Sequence, residues 1–143
     1  MATTVEPGLE FVVTVTLIAA DVERSARFYH DVFGAQPLRE GRPTLLRLGN
    51  IWLIINSGGG PTDDKPDVIA TPPRNPNDLS IFLNLRVTDI KRFHERWRSR
   101  GATFITEPKV HANEIRCYIR DPDGYLIEVG QTTITAAPLD LYT

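Results

Sequence analysis

The sequence predicts an α+β fold built from two βαβββ modules, and two observations predict it. An aspartate follows a β-prone run at Asp21 and again at Asp89, and a glycine ends an amphipathic stretch at Gly34 and again at Gly101. The two offsets are nearly equal, which is typical of an internal repeat. Three short β-prone pieces follow each amphipathic stretch. The 143 residues therefore indicate one domain made of two half-size units.

The first module is predicted over residues 10–56. Residues 11–20 form its first strand, and Asp21 is the expected N-cap of the helix. The predicted helix ends before Gly34, and its apolar positions recur with helical spacing at Val22, Ala26, Tyr29 and Phe33. Three further strands are expected at 36–40, 43–48 and 51–56, with a turn at 49–50.

The second module is predicted over residues 79–131 with the same order of elements. Residues 79–88 form the first strand, Asp89 caps the helix, and Gly101 ends it. Its apolar face is expected to carry Ile90, Phe93 and Trp97. Further strands are predicted at 103–107, 114–120 and 125–131, with a turn at 121–124.

Residues 57–78 are predicted to be a linker between the modules. Five of the eleven prolines of the chain lie there, and proline interrupts both helices and central strands. A connection of this length is usually a linker or a functional loop.

Composition and charge exclude several classes of protein. The net charge is −2 and the pI is about 5.9, which argues against a nucleic-acid partner. The longest apolar run, residues 51–55, is too short to span a membrane. A single cysteine excludes an intrachain disulfide. Because the N-terminus shows no secretory leader, we expect a cytoplasmic protein.

Two motifs resemble those of a known superfamily. Asp21, Ser25, Phe28-Tyr29 and Phe33-Gly34 match the pattern D…S…FY…LG, and residues 120–131, RDPDGYLIEVGQ, are close to the ending DPDGxxIEL. Both patterns belong to the vicinal oxygen chelate superfamily, which includes glyoxalase I, extradiol dioxygenases and the bleomycin- and fosfomycin-resistance proteins. The resemblance implies curled mixed sheets around a shared cavity. That cavity would close within one chain or across a homodimer, and we expect a homodimer.

The resemblance also implies positions for metal ligands, which this sequence mostly fails to fill. The first-strand positions, seven residues before each helix-capping aspartate, hold Thr14 and Phe82. No Asp, Glu or His lies between Gly41 and Thr62, where the first module would supply a carboxylate. One remaining carboxylate, Glu128, cannot hold a catalytic ion that normally takes three protein ligands. We therefore predict no cofactor, with Fe, Mn, Zn or Ni as the alternative if other ligands exist.

Glu128 is the candidate catalytic residue. Strand alternation places it on one face with Leu126 and Gly130, where a desolvated carboxylate can serve as a general base. The alternative is a structural pair with a nearby arginine. Arg86 lies on the fifth strand, where we expect it to end in water; pairing with Glu128, or with a substrate carboxylate, is the alternative.

The candidate substrate-binding residues are Thr14, Trp52, Phe82, Asn84, Arg86 and His111. An apolar and aromatic lining of this kind suits a flat organic ligand. Core packing is the alternative for the aromatic residues, and a surface position is the safer expectation for the loop residue His111. Cys117 is expected to be a small buried hydrophobe, although a tight hairpin would place it opposite Glu128.

These observations leave three hypotheses for function. The first is a protein that binds a small, partly aromatic organic molecule without the metal site usual in the superfamily. The second is a metal-dependent lyase or dioxygenase that uses Glu128 and unrecognised ligands such as His111. The third is a non-catalytic interaction module.

Overall fold

Each half of the chain folds as a strand, a helix and further strands, in the predicted order. A computed structural model describes residues 8–134. It divides the chain into two units, Met1–Pro72 and Pro73–Thr143. The α+β fold class and its two mixed sheets are confirmed. The shared cavity stays a prediction.

The first unit is a four-stranded sheet with one helix. Its elements are β1 Val15–Ala19, α1 Val22–Phe33, β2 Gln36–Arg39, β3 Thr44–Leu48 and β4 Ile51–Ser57. The strand order is β1-β4-β3-β2. β1 is parallel to β4, and the other pairs are antiparallel. The long crossover that a parallel pair requires contains α1.

The second unit repeats this arrangement with one extra strand. Its elements are β5 Leu83–Arg86, α2 Ile90–Ser99, β6 Thr103–Phe104, β7 Lys109–Val110, β8 Glu114–Arg120 and β9 Leu126–Thr132. The strand order is β5-β9-β8-β6, and β7 also pairs with β8. β5 is parallel to β9. This is the topology of the first unit with its outer edge strand in two pieces.

The predicted strand 103–107 is wrong in its extent, and the pairing with β8 explains why. Phe104 faces Ile119, and the next paired residue on that edge, Lys109, faces Arg116. Four residues, 105–108, therefore stand opposite two, so the edge strand leaves the ladder and returns as β7. Pro108, which has no N–H to donate, lies in the interruption.

The first strand of each module is shorter than predicted. β1 starts at Val15, which faces Leu53, and β5 starts at Leu83, which faces Ile127. The apolar residues before these points, including Phe11 and Ile81, are exposed. Their apolar pattern predicts strand, but pairing begins only at Val15 and Leu83, although β4 and β9 begin earlier, at Ile51 and Leu126.

Both predicted helix caps are confirmed. The Asp21 side chain accepts a hydrogen bond from the backbone N–H of Arg24 at 3.1 Å, and Asp89 accepts one from Arg92 at 3.2 Å. Gly34 closes α1 in the left-handed conformation, with φ 72°, which glycine adopts without steric cost. These caps satisfy helix-end groups that have no partner within the helix.

The buried face of each helix agrees with the prediction in part: Val22 and Tyr29 in α1 and Ile90 and Trp97 in α2 are buried as predicted. In α1 Ser25 and Val32 are buried in addition, whereas Ala26 and Phe33, predicted on this face, are only half-buried. In α2 His94 is buried with Ile90 and Trp97. Ser25 and His94 are polar, so a search for apolar positions does not predict their burial. The ring centroid of His94 lies 4.2 Å from that of Phe104.

The linker residues 57–78 contain no helix and no strand beyond the last residue of β4. Isolated bridges join Gly59 to Ala70 and Thr62 to Lys65. Within the second unit, Arg120 donates to the carbonyl of Pro76 at 2.6 Å and to Asn77 Oδ1 at 2.9 Å. The end of the linker is thereby fixed to β8. No helix in residues 8–134 has the length and hydropathy to cross a membrane.

We expect Asp21→Ala to lower the Tm by a few degrees, because the cap of α1 is lost. The N–H of Arg24 lowers the pKa of Asp21 from its ordinary value of 3.8. A lowered pKa gives stabilisation that is present above the unfolded-state pKa and is lost as pH falls through the folded-state pKa. The Tm difference should therefore shrink below about pH 4. Thermal unfolding at several pH values measures it.

The matched control is Asp31→Ala, which removes the same charge from an exposed position near the other end of α1. A carboxylate there opposes the helix dipole, so its removal should leave the Tm unchanged or slightly raised. Equal losses from both variants would contradict the capping role of Asp21.

Candidate functional site

Each sheet uses one face to contact its helix and leaves functional side chains on the other. In the second unit Ile127, Val129, Cys117 and Ile119 are buried on the helix-facing side. Alternation places Glu128 on the opposite face. The sequence prediction of the face that carries Glu128 is consistent with this register.

Glu128 is buried, with 5% of its surface exposed, and its partners come from both neighbouring strands. It faces Asn84 on β5 and Tyr118 on β8. The Tyr118 hydroxyl donates to Glu128 Oε1 at 3.1 Å, and Arg86 Nη1 lies 3.5 Å from Glu128 Oε2. Both carboxylate oxygens therefore have a protein donor, which fixes the orientation of the group.

Arg86 lies over the sheet, and the expectation that it ends in water is wrong. Its side chain is only 10% exposed. Nη1 contacts Glu114 Oε1 at 3.1 Å, and Nη2 donates to Thr132 Oγ1 at 2.8 Å. Two carboxylates and a hydroxyl thus bind one buried guanidinium, which offsets much of the cost of removing its charge from water.

Gly130 makes this position of Arg86 possible. A Cβ at residue 130 would lie 2.0 Å from Arg86 Nη1 and 2.7 Å from its Cζ. The guanidinium therefore rests on the bare backbone of β9. Any side chain at this position would force Arg86 away from Glu114 and Glu128.

The electrostatic surroundings hold Tyr118 in its neutral form. Burial raises the pKa of Tyr118, and the negative charge of Glu128 raises it further. The hydroxyl therefore stays a donor to the Glu128 carboxylate at neutral pH. An oriented carboxylate with a tyrosine and an arginine beside it can accept a proton from a substrate or hold a ligand donor.

The remaining predicted residues of this unit lie at different distances from the cluster. Phe82 is 39% exposed, and its ring centroid is 6.3 Å from that of Tyr118. Asn84 is exposed, with Oδ1 3.4 Å from Arg86 Nη1. His111 is exposed in the loop after β7, where its backbone N–H donates to the Glu114 carbonyl at 2.8 Å. The structure thus groups Phe82, Asn84 and Arg86 around Glu128.

Cys117 faces the helix side of the sheet, away from Glu128. Its cross-strand partner is Val129, so the alternative register that placed it opposite Glu128 is wrong. Burial raises the pKa of the thiol to about 11, and reactivity requires the thiolate. The interpretation of Cys117 as a small buried hydrophobe is confirmed.

In the first unit, Trp52 lines a groove of about 830 Å³. The other lining residues are the segment 8–13, Arg47 and Asn50. Trp52 and Arg47 are direct cross-strand partners in the β3–β4 hairpin, so their side chains share one face. Leu46 and Leu53, adjacent to them in sequence, are buried on the opposite, helix-facing side.

The segment 8–13 supplies an apolar part of the groove that sequence analysis missed. Leu9, Phe11 and Val13 are 53%, 74% and 72% exposed. Thr14 is also exposed but is not among the lining residues of the groove. Groove residues Arg47 and Asn50 were missed too, although counting outward from the predicted 49–50 turn pairs Arg47 with Trp52.

The donor set does not fit the metal site that the resemblance implies. Thr14 and Phe82 carry neither imidazole nor carboxylate. Over residues 8–134, no three His, Cys, Asp or Glu side chains come together in a way that could hold an ion. Glu128 is instead bound by Arg86 and Tyr118.

We expect Gly130→Ala to lower the free energy of unfolding by about 2 kcal/mol, since the new methyl group displaces Arg86 from its buried partners. Gly59→Ala is the control, because a Cβ there meets no atom within 4 Å. Chemical denaturation measures both. If the contact with Arg86 is the cause, Gly130→Ala should cost much less in an Arg86→Ala background; additive losses would contradict it.

Comparison with known proteins yields two relatives by sequence. The chain is 27% identical over 123 residues to metallothiol transferase FosB of Shouchella clausii, covering 84% of this chain and 79% of that protein. It is 26% identical over 136 residues to a probable lactoylglutathione lyase of Synechocystis, covering 86% and 96%.

A solved structure supports the fold. The glyoxalase/bleomycin resistance protein/dioxygenase from Nocardioides superposes with a TM-score of 0.72 at 20% identity, covering 91% of this chain and 89% of that one. The family model that describes the glyoxalase/bleomycin resistance protein/dioxygenase superfamily matches residues 12–129. That match includes every strand and helix of both units except the last residues of β9, and the chain therefore belongs to the glyoxalase/bleomycin resistance protein/dioxygenase superfamily.

Proposed function

We propose that this protein binds a small, partly aromatic organic molecule in the groove of the first unit, without a metal ion. The groove beside Trp52 is the observation that carries the proposal. Its volume, about 830 Å³, lies within the range of about 300–1,000 Å³ that is common for ligand sites.

The lining of the groove favours a flat ligand. The indole of Trp52 offers a rigid surface for stacking, and Leu9, Phe11 and Val13 present apolar surface that is otherwise exposed to water. Covering this surface with an aromatic ring removes apolar area from water and supplies the main part of the binding free energy. Asn50, at the turn, supplies a polar group at the groove.

Among the described residues of the second unit, the one feature that supports a catalytic role is the buried carboxylate of Glu128, which Tyr118 and Arg86 orient. We propose Glu128, separately from the groove, as a proton acceptor for a molecule bound at the second unit, with Tyr118 and Arg86 as positioning residues. Phe82 and Asn84 would then contact the molecule bound at the second unit. Thr14 is not among the lining residues of the groove and His111 lies in the loop after β7, so each is proposed only as a peripheral contact within its own unit.

Naphthalene-2-carboxamide and naphthalene-2-carboxylate should raise the Tm, since a ligand of the native state stabilises it by mass action. Trp52→Ala should weaken their binding at least about tenfold, because the stacking surface is lost. Isothermal titration calorimetry measures the Kd. The control is Trp97→Phe, which changes the other tryptophan of the chain, a buried residue of α2.

Equal weakening by Trp52→Ala and Trp97→Phe would contradict the assignment of the groove. Absence of binding by both naphthalene compounds, and by a broader panel of one- and two-ring aromatics, would favour the non-catalytic interaction module instead.

A second candidate is a metal-dependent transferase or lyase, as the names of the two relatives suggest. Glu128 favours it, because this buried carboxylate lies in the segment that matches the DPDGxxIEL ending. The ligands in addition to Glu128 would have to come from groups not brought together in residues 8–134, or from a second chain of the homodimer that the resemblance predicts.

Elemental analysis of protein purified without chelator separates the two candidates. Our proposal predicts no stoichiometric Fe, Mn, Zn or Ni, and no change in metal content on Glu128→Ala. Glu95→Ala, at an exposed position of α2, is the control. Stoichiometric metal that is lost in Glu128→Ala and kept in Glu95→Ala would establish the second candidate. Sedimentation of the same samples measures whether the chain is a dimer.

A further inference from the structure

We infer that the ligand of the groove carries a carboxylate, which Arg47 receives while Trp52 stacks on the adjoining aromatic ring. This inference rests on the proposed function and names the chemical class of its ligand as a planar aromatic acid. It follows from the position of Arg47, from its remaining hydrogen-bond donors and from the apolar character of the groove around it.

The hairpin fixes Arg47 next to Trp52. The two residues face each other across β3 and β4, and Leu48 and Ile51 form the last pair before the two-residue turn. Directly opposed side chains in an antiparallel pair have Cβ atoms about 4.5–5.5 Å apart. A ring on the indole of Trp52 therefore places its substituents within reach of the guanidinium.

Arg47 has donors to spare. Its Nε donates to the carbonyl of Gly49 at 3.1 Å, which holds the side chain toward the turn. Among the residues that the structure describes, no hydrogen bond or ion pair is recorded for its two Nη groups. Two parallel N–H groups on one planar cation match the two oxygens of a carboxylate.

Arg47 differs from Arg86 in its exposure and in its lack of an acidic partner within residues 8–134. Arg86 is buried and already contacts Glu114 and Glu128, so its charge is balanced within the protein. Arg47 is exposed and lines the groove without such a pair. Its charge is therefore available to a ligand, and a ligand that covers Leu9, Phe11 and Val13 would itself exclude water from the ion pair and so strengthen it.

Glu10 is the one acidic residue in the lining of the groove. Its carboxylate would repel an acid bound near it and attract a cationic ligand. The two charges therefore make opposite predictions: an acid bound at Arg47 is weakened by loss of Arg47 and is unchanged or strengthened by loss of Glu10. A cation would show the reverse.

The test compares naphthalene-2-carboxylate with naphthalene-2-carboxamide, which have the same ring and nearly the same shape. In the unaltered protein the carboxylate should bind about tenfold more tightly, as expected for a charge-assisted pair. Arg47→Gln should abolish this preference and leave the Kd of the carboxamide within about twofold. Glu10→Gln should keep the preference or increase it. Calorimetry at low and high salt gives all the constants, and the preference should fall with salt.

Each outcome bears on the inference. Carboxamide binding that equals or exceeds carboxylate binding in the unaltered protein overturns the acid class and leaves the proposed aromatic site intact. A preference that survives in Arg47→Gln assigns the carboxylate to another group and also overturns it. If neither naphthalene compound nor any member of the broader aromatic panel binds, the proposed function fails and the inference fails with it; if only uncharged or cationic aromatics bind, the inference alone fails.

Discussion

Each sheet packs one helix on one face, and this constraint determines where chemistry can occur. In β3 and β4 the residues Leu46 and Leu53 are committed to the helix side, as are Ile119 and Ile127 in β8 and β9. Because side chains alternate along a strand, the residues between them must lie on the opposite face. Trp52 and Glu128 are brought to the faces opposite the helices in this way, since a slip of one residue would turn both toward a helix.

The face of the second sheet opposite α2 carries a cluster of charged side chains that pair with one another. Gly130 leaves room for Arg86, and Arg86 binds Glu114 and Glu128. A carboxylate without partners would be available to a metal ion, whereas that of Glu128 is already paired with Arg86 and accepts a hydrogen bond from Tyr118. The buried and unpartnered Nε of Arg86 shows that the cluster is not fully satisfied, so it costs more stability than an apolar face would. The contacts with Arg86 and Tyr118 thus give Glu128 a structural role that involves no metal ion.

The sequence predicted what depends on local chemistry and failed where long-range pairing decides. The capping aspartates, the helix-ending Gly34 and the order of elements follow from the backbone needs of a few adjacent residues. The starts of β1 and β5 depend on where the chain first pairs with a distant strand. The buried faces of the helices depend on tertiary contacts that accept Ser25 and His94 in place of larger apolar groups. These features are not encoded in a local pattern.

The two arginines illustrate the same division within the candidate sites. The sequence pattern favours a strand-end position in water for Arg86, because nothing in it indicates that Gly130, on the neighbouring strand β9, leaves room for the guanidinium. Arg47 was not among the predicted site residues, although the predicted turn at 49–50 pairs it with Trp52. The position of Arg86 can be recognised only from the three-dimensional contact with Gly130. Arg47 could have been identified by counting outward from the turn at 49–50. Tyr118 could have been identified opposite Glu128 in the same way, from the turn at 121–124.

The segment that most strongly indicated the superfamily is primarily structural. Asp121 is buried, and its Oδ1 accepts hydrogen bonds from the backbone N–H groups of Asp123 and Tyr125, both at 2.9 Å. Gly124 completes the turn with φ 91°, where other residues would be strained. The DPDG motif thus secures the β8–β9 hairpin and therefore the register that aligns Glu128 with Tyr118. Because the motif serves the hairpin, it supports the fold and does not by itself indicate a metal site. The ligand has to be inferred from side chains such as Arg47 and Trp52 that the motif does not contain.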